Sequence, residues 1–115
     1  MAATANLRID RGATFSSDVT VTDTDGSAFD LTGYTAASKM ALGYASTRTR
    51  VTITTSINGD PTTGIITLSL TADQTKNLEP PARYVYDVEI LKTSDSTVTR
   101  VIEGLITINP DVTTD

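Results

Sequence analysis

The sequence predicts an all-β fold, an antiparallel β-sandwich of about six to eight strands with one short helix near residues 72–78. Three observations carry this. Residues 84–91 and 101–108 alternate apolar and polar side chains with a period of two, the mark of strands that bury one face. Threonine recurs along the chain, and with Val and Ile it favours extended backbone, because branching at Cβ restricts χ1. Clusters of Gly, Asp, Asn, Ser and Pro interrupt the extended runs at intervals that suit short strands.

Taken in order, residues 1–6 are small and polar and read as a flexible arm ahead of a single domain over residues 7–110, with a polar tail over 111–115. Leu7 and Ile9 alternate with Arg8 and Asp10, enough for a short edge strand that Gly12 ends. From Thr14 to Thr22 the pattern is regular: Phe15, Ser17, Val19 and Val21 share one face, and the residues between them face water. The run Asp23–Ser27 is a turn, since Asp tolerates left-handed backbone and Gly26 adopts it freely. Phe29 and Leu31 are expected to point inward, with Gly33 permitting a bend. Tyr34, Ala36, Ser38, Met40 and Leu42 then alternate with smaller or charged residues; a strand is preferred, although a helix from Tyr34 to Tyr44 fits the spacing nearly as well. Residues 43–48 are expected as a surface loop.

Val51, Ile53 and Ile57 mark the apolar face of the next strand, and Asn58–Gly64 is dense in turn residues. Ile66, Leu68 and Leu70 form the returning face. Thr71 and Gln74 have the spacing of a capping box, in which an N-cap hydroxyl and the N3 side chain satisfy each other's backbone N–H. Pro80 and Pro81 must stop that helix after about two turns. The closing hairpin, Arg83 to Pro110, is the strongest pattern. Tyr84, Tyr86, Val88 and Ile90 form one buried face and Ile102, Gly104, Ile106 and Ile108 the other, while Val101, Glu103, Leu105 and Thr107 look outward.

Composition narrows the chemistry. A chain of 115 residues is one domain able to bury a core without staples. It has no cysteine and no histidine, so thiol chemistry, disulfides and the usual neutral-pH base are unavailable to it. A net charge of −5 disfavours nucleic acid and anionic membranes as partners. No apolar run approaches the roughly 18 residues of a membrane span, and the first ten residues lack the pattern of a signal peptide. The chain therefore reads as made in the cytoplasm.

Few residues are candidates for a site. Asp23 and Asp25, two apart before Gly26, resemble the front half of a calcium loop, but the twelve-residue loop with its distal Glu is absent and a plain turn explains them. Asp30 is a further oxygen donor that nothing in the sequence places. Asp87 and Glu89 share a strand face, as a pair of catalytic carboxylates would, yet alternation alone produces that pairing. Glu103 is expected to lie opposite one of them, or else opposite Lys92 or Arg100. No nucleophile elbow, phosphate loop or Walker pattern occurs, so no catalytic residue, cofactor or metal site is assigned. Tyr44 and Arg48, in the loop, are the candidates for partner contact; Tyr84 and Tyr86 belong to the core.

Three stretches in order resemble small virion structural proteins of tailed bacteriophages, including those of marine cyanobacterial phages, and the amino-terminal modules of some baseplate proteins. They are LRIDRGATFSSDVTVTDTDGSAFDLTGYTA (7–36), GIITLSLTADQTKNLEPPARYVYDVEI (64–90) and TVTRVIEGLITINPDVT (97–113). The resemblance implies an immunoglobulin-like sandwich that docks on the tail, baseplate or neck of a virion without catalysing a reaction. Its partners would be other phage structural proteins, with a homo-oligomer also compatible. Capsid decoration on the head and carbohydrate binding, through Tyr34, Tyr44 and the loop near Asp25, are the alternatives. The chain departs from the family in carrying Pro80-Pro81-Ala82 before Arg83, which stiffens the approach to the hairpin.

Overall fold

The computed structural model describes residues 3–23, 25–43, 50–78 and 83–109. Among them are eight strands: β1 (Ala3–Thr4), β2 (Leu7–Asp10), β3 (Phe15–Thr20), β4 (Tyr34–Ala41), β5 (Val51–Ile57), β6 (Ile65–Leu70), β7 (Arg83–Lys92) and β8 (Thr97–Asn109). One helix, α1 (Ala72–Lys76), and a single 3₁₀ turn at Pro61–Thr63 complete the elements. The fold is all-β with one short helix. Where the sequence suggested two separate antiparallel sheets, the strands follow one hydrogen-bonded path, β1-β8-β7-β4-β5-β6-β3, with β2 also on β8. The sheet is mixed, because β1 and β2 run parallel to β8 and the remaining pairs are antiparallel.

The path curls at β5. Its first residues pair with β4 (Ile53 opposite Ser38) and its later ones with β6 (Thr54 opposite Ser69). Where β5 leaves β4, the Thr55 hydroxyl bonds the Ala36 carbonyl at 3.0 Å. The curl brings the inner faces of β3 and β6 into one core cluster with those of β2, β4, β7 and β8, so Phe15, Val19, Ile66 and Leu68 share a core with Ile9, Met40, Val88, Ile90 and Ile106. Burying each such side chain is worth about 1.5–3 kcal/mol. Leu31 and Leu78, from the connections, fill the same core.

The expected faces hold along β3, β5, β6 and β7. Tyr34–Ala41 is strand, so the helical alternative over residues 34–44 is set aside: pairing with β7 along eight positions satisfies its backbone, which an isolated helix of that length would not match. Leu42 lies past the end of β4 and is exposed rather than facing inward with Met40. Helix α1 begins as expected, with Thr71 accepting from the Gln74 N–H at 3.2 Å and Gln74 accepting from the Thr71 N–H at 2.8 Å. Pro80 and Pro81 lie outside the described residues, as do residues 111–115.

Two departures matter. Val101 was expected on the outer face with Glu103, yet it is buried beside Ile102. Val88 pairs with Ile102 and Glu89 with Arg100, so Val101 is the extra residue of a β-bulge. A bulge shifts alternation by one, which puts Arg100 and Val98 on the outer face with Glu103. The second departure is the arm. Ala3 and Thr4 pair with Ile102 and Glu103, and the Ala5 N–H donates to the Glu103 carbonyl at 2.9 Å. Residues 3–6 are thus part of the sheet. Backbone pairing needs no apolar side chain, which is why composition did not reveal it.

Gly104 explains how the arm is seated. The Ala5 carbonyl turns into the space above Gly104, where the Tyr86 hydroxyl donates to it at 2.5 Å. A Cβ on residue 104 would overlap that carbonyl and come within 3.1 Å of Asn6 Oδ1. Asn6 Oδ1 in turn accepts from the Leu105 N–H at 3.1 Å. Beyond β2, the turn at Gly12 is held by fully buried Thr75 of α1. Its hydroxyl accepts from the Gly12 N–H at 3.0 Å and donates to the Ala13 carbonyl at 2.8 Å.

Candidate functional site

The outer face of β4, β7 and β8 groups the charged side chains of Lys39, Asp87, Glu89, Arg100 and Glu103. Its registers place Lys39, Asp87 and Glu103 in one row across the three strands, and Ala37, Glu89 and Arg100 in the next. Arg100 links the rows, with its Nε 3.4 Å from Asp87 and its Nη1 3.6 Å from Glu103. All three side chains are at least a third exposed, so each pair is worth at most about 1 kcal/mol. Beneath them Ser38, buried on the inner face, donates to the Asp87 carbonyl at 2.7 Å and pins the strand there. The rows border an open hollow of about 400 Å³ over β4 and β7, floored by Ala37, Ala41 and Val85.

Asp87 and Glu89 do share a face, as their spacing requires, and Glu103 does lie opposite Asp87. Asp87 is engaged by Arg100, which makes it one member of a surface charge network. The bulge is what brings Arg100 there; strict alternation would have turned it inward with Ile102.

The Asp23–Ser27 loop closes on itself. The Asp23 N–H donates to the Ser27 carbonyl at 2.8 Å and the Gly26 N–H to the Asp23 carbonyl at 2.9 Å. Asp25 Oδ1 accepts from both the N–H and the hydroxyl of Ser27, at 3.0 and 2.6 Å. The Ser27 hydroxyl, then its N–H, holds the Asp25 carboxyl below its ordinary range. Asp30 is arranged in the same way with Thr32, hydroxyl first. Among the described residues, no three acidic side chains converge on a point where a cation would sit. Each of these carboxylates serves its own turn.

Of the tyrosines, Tyr84 and Tyr86 are in the core as expected, and burial pushes the Tyr86 phenol up to about 12. Tyr34 packs edge-on against Phe29 with ring centroids 5.4 Å apart, so its ring is committed to the core margin. Tyr44 and Arg48, the residues singled out for partner contact, lie outside the described residues.

No protein-family model matches the chain. A comparison with curated proteins also finds no match.

A feature that sequence reasoning missed is the open edge of β3. The Val21 N–H bonds the Gly64 carbonyl at 2.7 Å, and the β3–β6 register continues without a shift from that point. Phe15, Ser17 and Val19 therefore aim their backbone groups at β6, and Ser16, Asp18 and Thr20 aim theirs away from the sheet. β3 ends the strand path, so that side carries no strand among the described residues. Strand order, which no single sequence discloses, decides this.

Proposed function

We propose that the chain is a non-enzymatic structural module of a tailed-bacteriophage virion, docking on the tail, baseplate or neck through strand addition at β3. The observation that carries the docking mode is that open edge: a six-residue strand whose Ser16, Asp18 and Thr20 backbone groups face outward, ready to pair with an extended segment of another protein. The virion context rests on the resemblance of residues 7–36, 64–90 and 97–113 to phage structural modules. The strand pairings support the immunoglobulin-like part of that resemblance, since β3 with β6 and β8-β7-β4 correspond to pairings found in such folds. A sequence without His or Cys, whose most acidic strand face is tied to Arg100, fits a docking role better than catalysis.

The test is mass spectrometry of purified particles from the source phage, followed by electron microscopy with a label on this chain. The expected result is label at the tail, baseplate or neck. Label over the head would make the protein a decoration module, and absence from particles would overturn the virion reading. Ser16→Pro removes an outward N–H and leaves the β3–β6 bonds in place. It should abolish particle binding while leaving the fold intact; undiminished binding would refute docking at this edge.

A further inference from the structure

We propose that Asn58 is a site of spontaneous deamidation, where the backbone nitrogen of Gly59 displaces the side-chain amide and leaves an aspartyl or isoaspartyl residue between β5 and β6. This goes beyond the virion reading and does not depend on it. The reaction needs only water. The Gly59 nitrogen gives up its proton to solvent and adds to Asn58 Cγ, closing an imide ring and putting negative charge on Oδ1. As that charge collapses, the Cγ–Nδ2 bond breaks, and Nδ2 takes up a proton and leaves as ammonia. Water then opens the imide at either carbonyl. One opening gives aspartate; the other gives isoaspartate, with the main chain routed through Cβ. Water is consumed, ammonia is released, and nothing is oxidised or reduced.

The turn favours this attack in three ways. Asn58, Gly59 and Asp60 are all exposed, so water reaches them. The Gly59 N–H makes no hydrogen bond among the described residues, although the Asn58 N–H before it is held by the Ile65 carbonyl at 3.0 Å. A nitrogen committed to a ladder would have to break its bond before losing a proton; this one is free, and its residue has no side chain to shield it. Asn58 Oδ1, finally, accepts from the Asp60 N–H at 2.9 Å. That donor is aimed at the atom on which charge gathers, as in an oxyanion hole. The leaving group, Asn58 Nδ2, makes no bond among the described residues.

The chain carries its own controls in Asn6, Asn77 and Asn109. Asn6 Oδ1 is bonded to the Leu105 N–H, and the nitrogen after it belongs to Leu7 of β2. Asn77 Nδ2 donates to the Asp73 carbonyl at 3.1 Å, and the Leu78 N–H is bonded to the Thr75 carbonyl at 3.1 Å. Asn109 precedes Pro110, whose nitrogen has no proton to lose. At Asp25-Gly26, the Gly26 N–H is bonded to the Asp23 carbonyl at 2.9 Å, and an ionised carboxylate is a far poorer target than an amide. Deamidation at Asn58 takes the net charge of −5 one unit lower. It sets a new carboxylate near Asp60, whose own carboxylate holds the Thr62 N–H at 3.1 Å.

The test is peptide mass spectrometry of the folded full chain after incubation in buffers of rising pH, in water enriched in heavy oxygen. The expected result is an acid in place of the amide at Asn58, with heavy oxygen taken up there, while Asn6, Asn77 and Asn109 stay intact. Part of the product should be isoaspartyl, read by methyl transfer from a protein-isoaspartate methyltransferase. The rate should rise about tenfold per pH unit, since each unit multiplies the deprotonated nitrogen by that factor. Gly59→Ala, whose methyl meets nothing in the fold but crowds the approach to Cγ, should slow it about tenfold. An Asn58 amide that stays intact in the folded chain would overturn the proposal, whether or not denaturant releases it. So would loss at Asn6 or Asn77 at a matching rate, or a rate indifferent to pH or to Gly59→Ala.

Discussion

Gly104→Ala should cost far more than a methyl group on an ordinary strand, because the space it would fill is occupied by backbone. A Cβ at residue 104 overlaps the Ala5 carbonyl, also lies 2.9 Å from the Ala5 carbonyl carbon, and cannot be relieved by rotating a flexible side chain. The arm must lift. Lifting it breaks three bonds: Tyr86 hydroxyl to Ala5 carbonyl at 2.5 Å, Ala5 N–H to Glu103 carbonyl at 2.9 Å, and Leu105 N–H to Asn6 Oδ1 at 3.1 Å. At about 1 kcal/mol each, with the buried Tyr86 hydroxyl left without its acceptor, the loss is about 2–4 kcal/mol. Denaturant unfolding measures the total, and hydrogen exchange locates it: the amides of Ala5 and Leu105 should lose protection first. Tyr86→Phe, which removes only the hydroxyl, should cost about 1 kcal/mol and sit between the two. If Gly104→Ala unfolds within about 0.5 kcal/mol of the parent, the size expected of an uneventful surface change, the reasoning about the seated arm is wrong.

Thr75→Val should destabilise by about 1–3 kcal/mol in thermal or denaturant unfolding, because the part-buried Gly12 N–H would lose its acceptor, and the Ala13 carbonyl its donor, while shape is kept. The Tyr86 phenol, raised from 10.0 to about 12 by burial, stabilises the fold fully below pH 10 and loses that contribution as pH climbs towards 12. Unfolding should therefore set in over that window, and in Tyr86→Phe this part of the alkaline dependence should vanish. Ser27→Ala should raise the Asp25 titration towards 3.8, followed by carboxyl NMR, since the Ser27 hydroxyl is the largest cause of its depression. That depressed carboxyl favours the fold above 3.8 and ceases to do so as pH falls through its own lowered value. Calcium should leave the melting temperature of the parent chain unchanged.

What could be read from the chain follows from which forces act locally. The faces of β3, β5, β6 and β7 were legible because a residue's side of a strand is set by counting in twos. The capping box was legible because both partners lie within four residues. The position of β5 between two neighbours was not, since its alternation is the same whichever strands flank it. The arm escaped for a related reason: Ala3, Thr4 and Ala5 contribute backbone, and what holds them lies at Tyr86, Glu103 and Gly104, some 80 to 100 residues on. Exposure in a loop, which points to Tyr44 and Arg48, is blind to strand order and therefore to the open edge of β3.

The bulge at Val101 ties these observations together. Without it, the side chains of Val98 and Arg100 would point inward, burying a guanidinium among Val88, Ile90 and Ile102, where an unpaired charge is strongly unfavourable. With it, Val101 is buried in addition to Ile102, and Arg100 emerges between Asp87 and Glu103. Taking Val101 into a bulge therefore adds apolar burial on the inner face and keeps the mixed-charge row on the outer one. Deleting Val101 would set Arg100 next to Ile102 in a regular ladder, still outward opposite Glu89, so that variant should lose the burial of Val101 and keep the charged row.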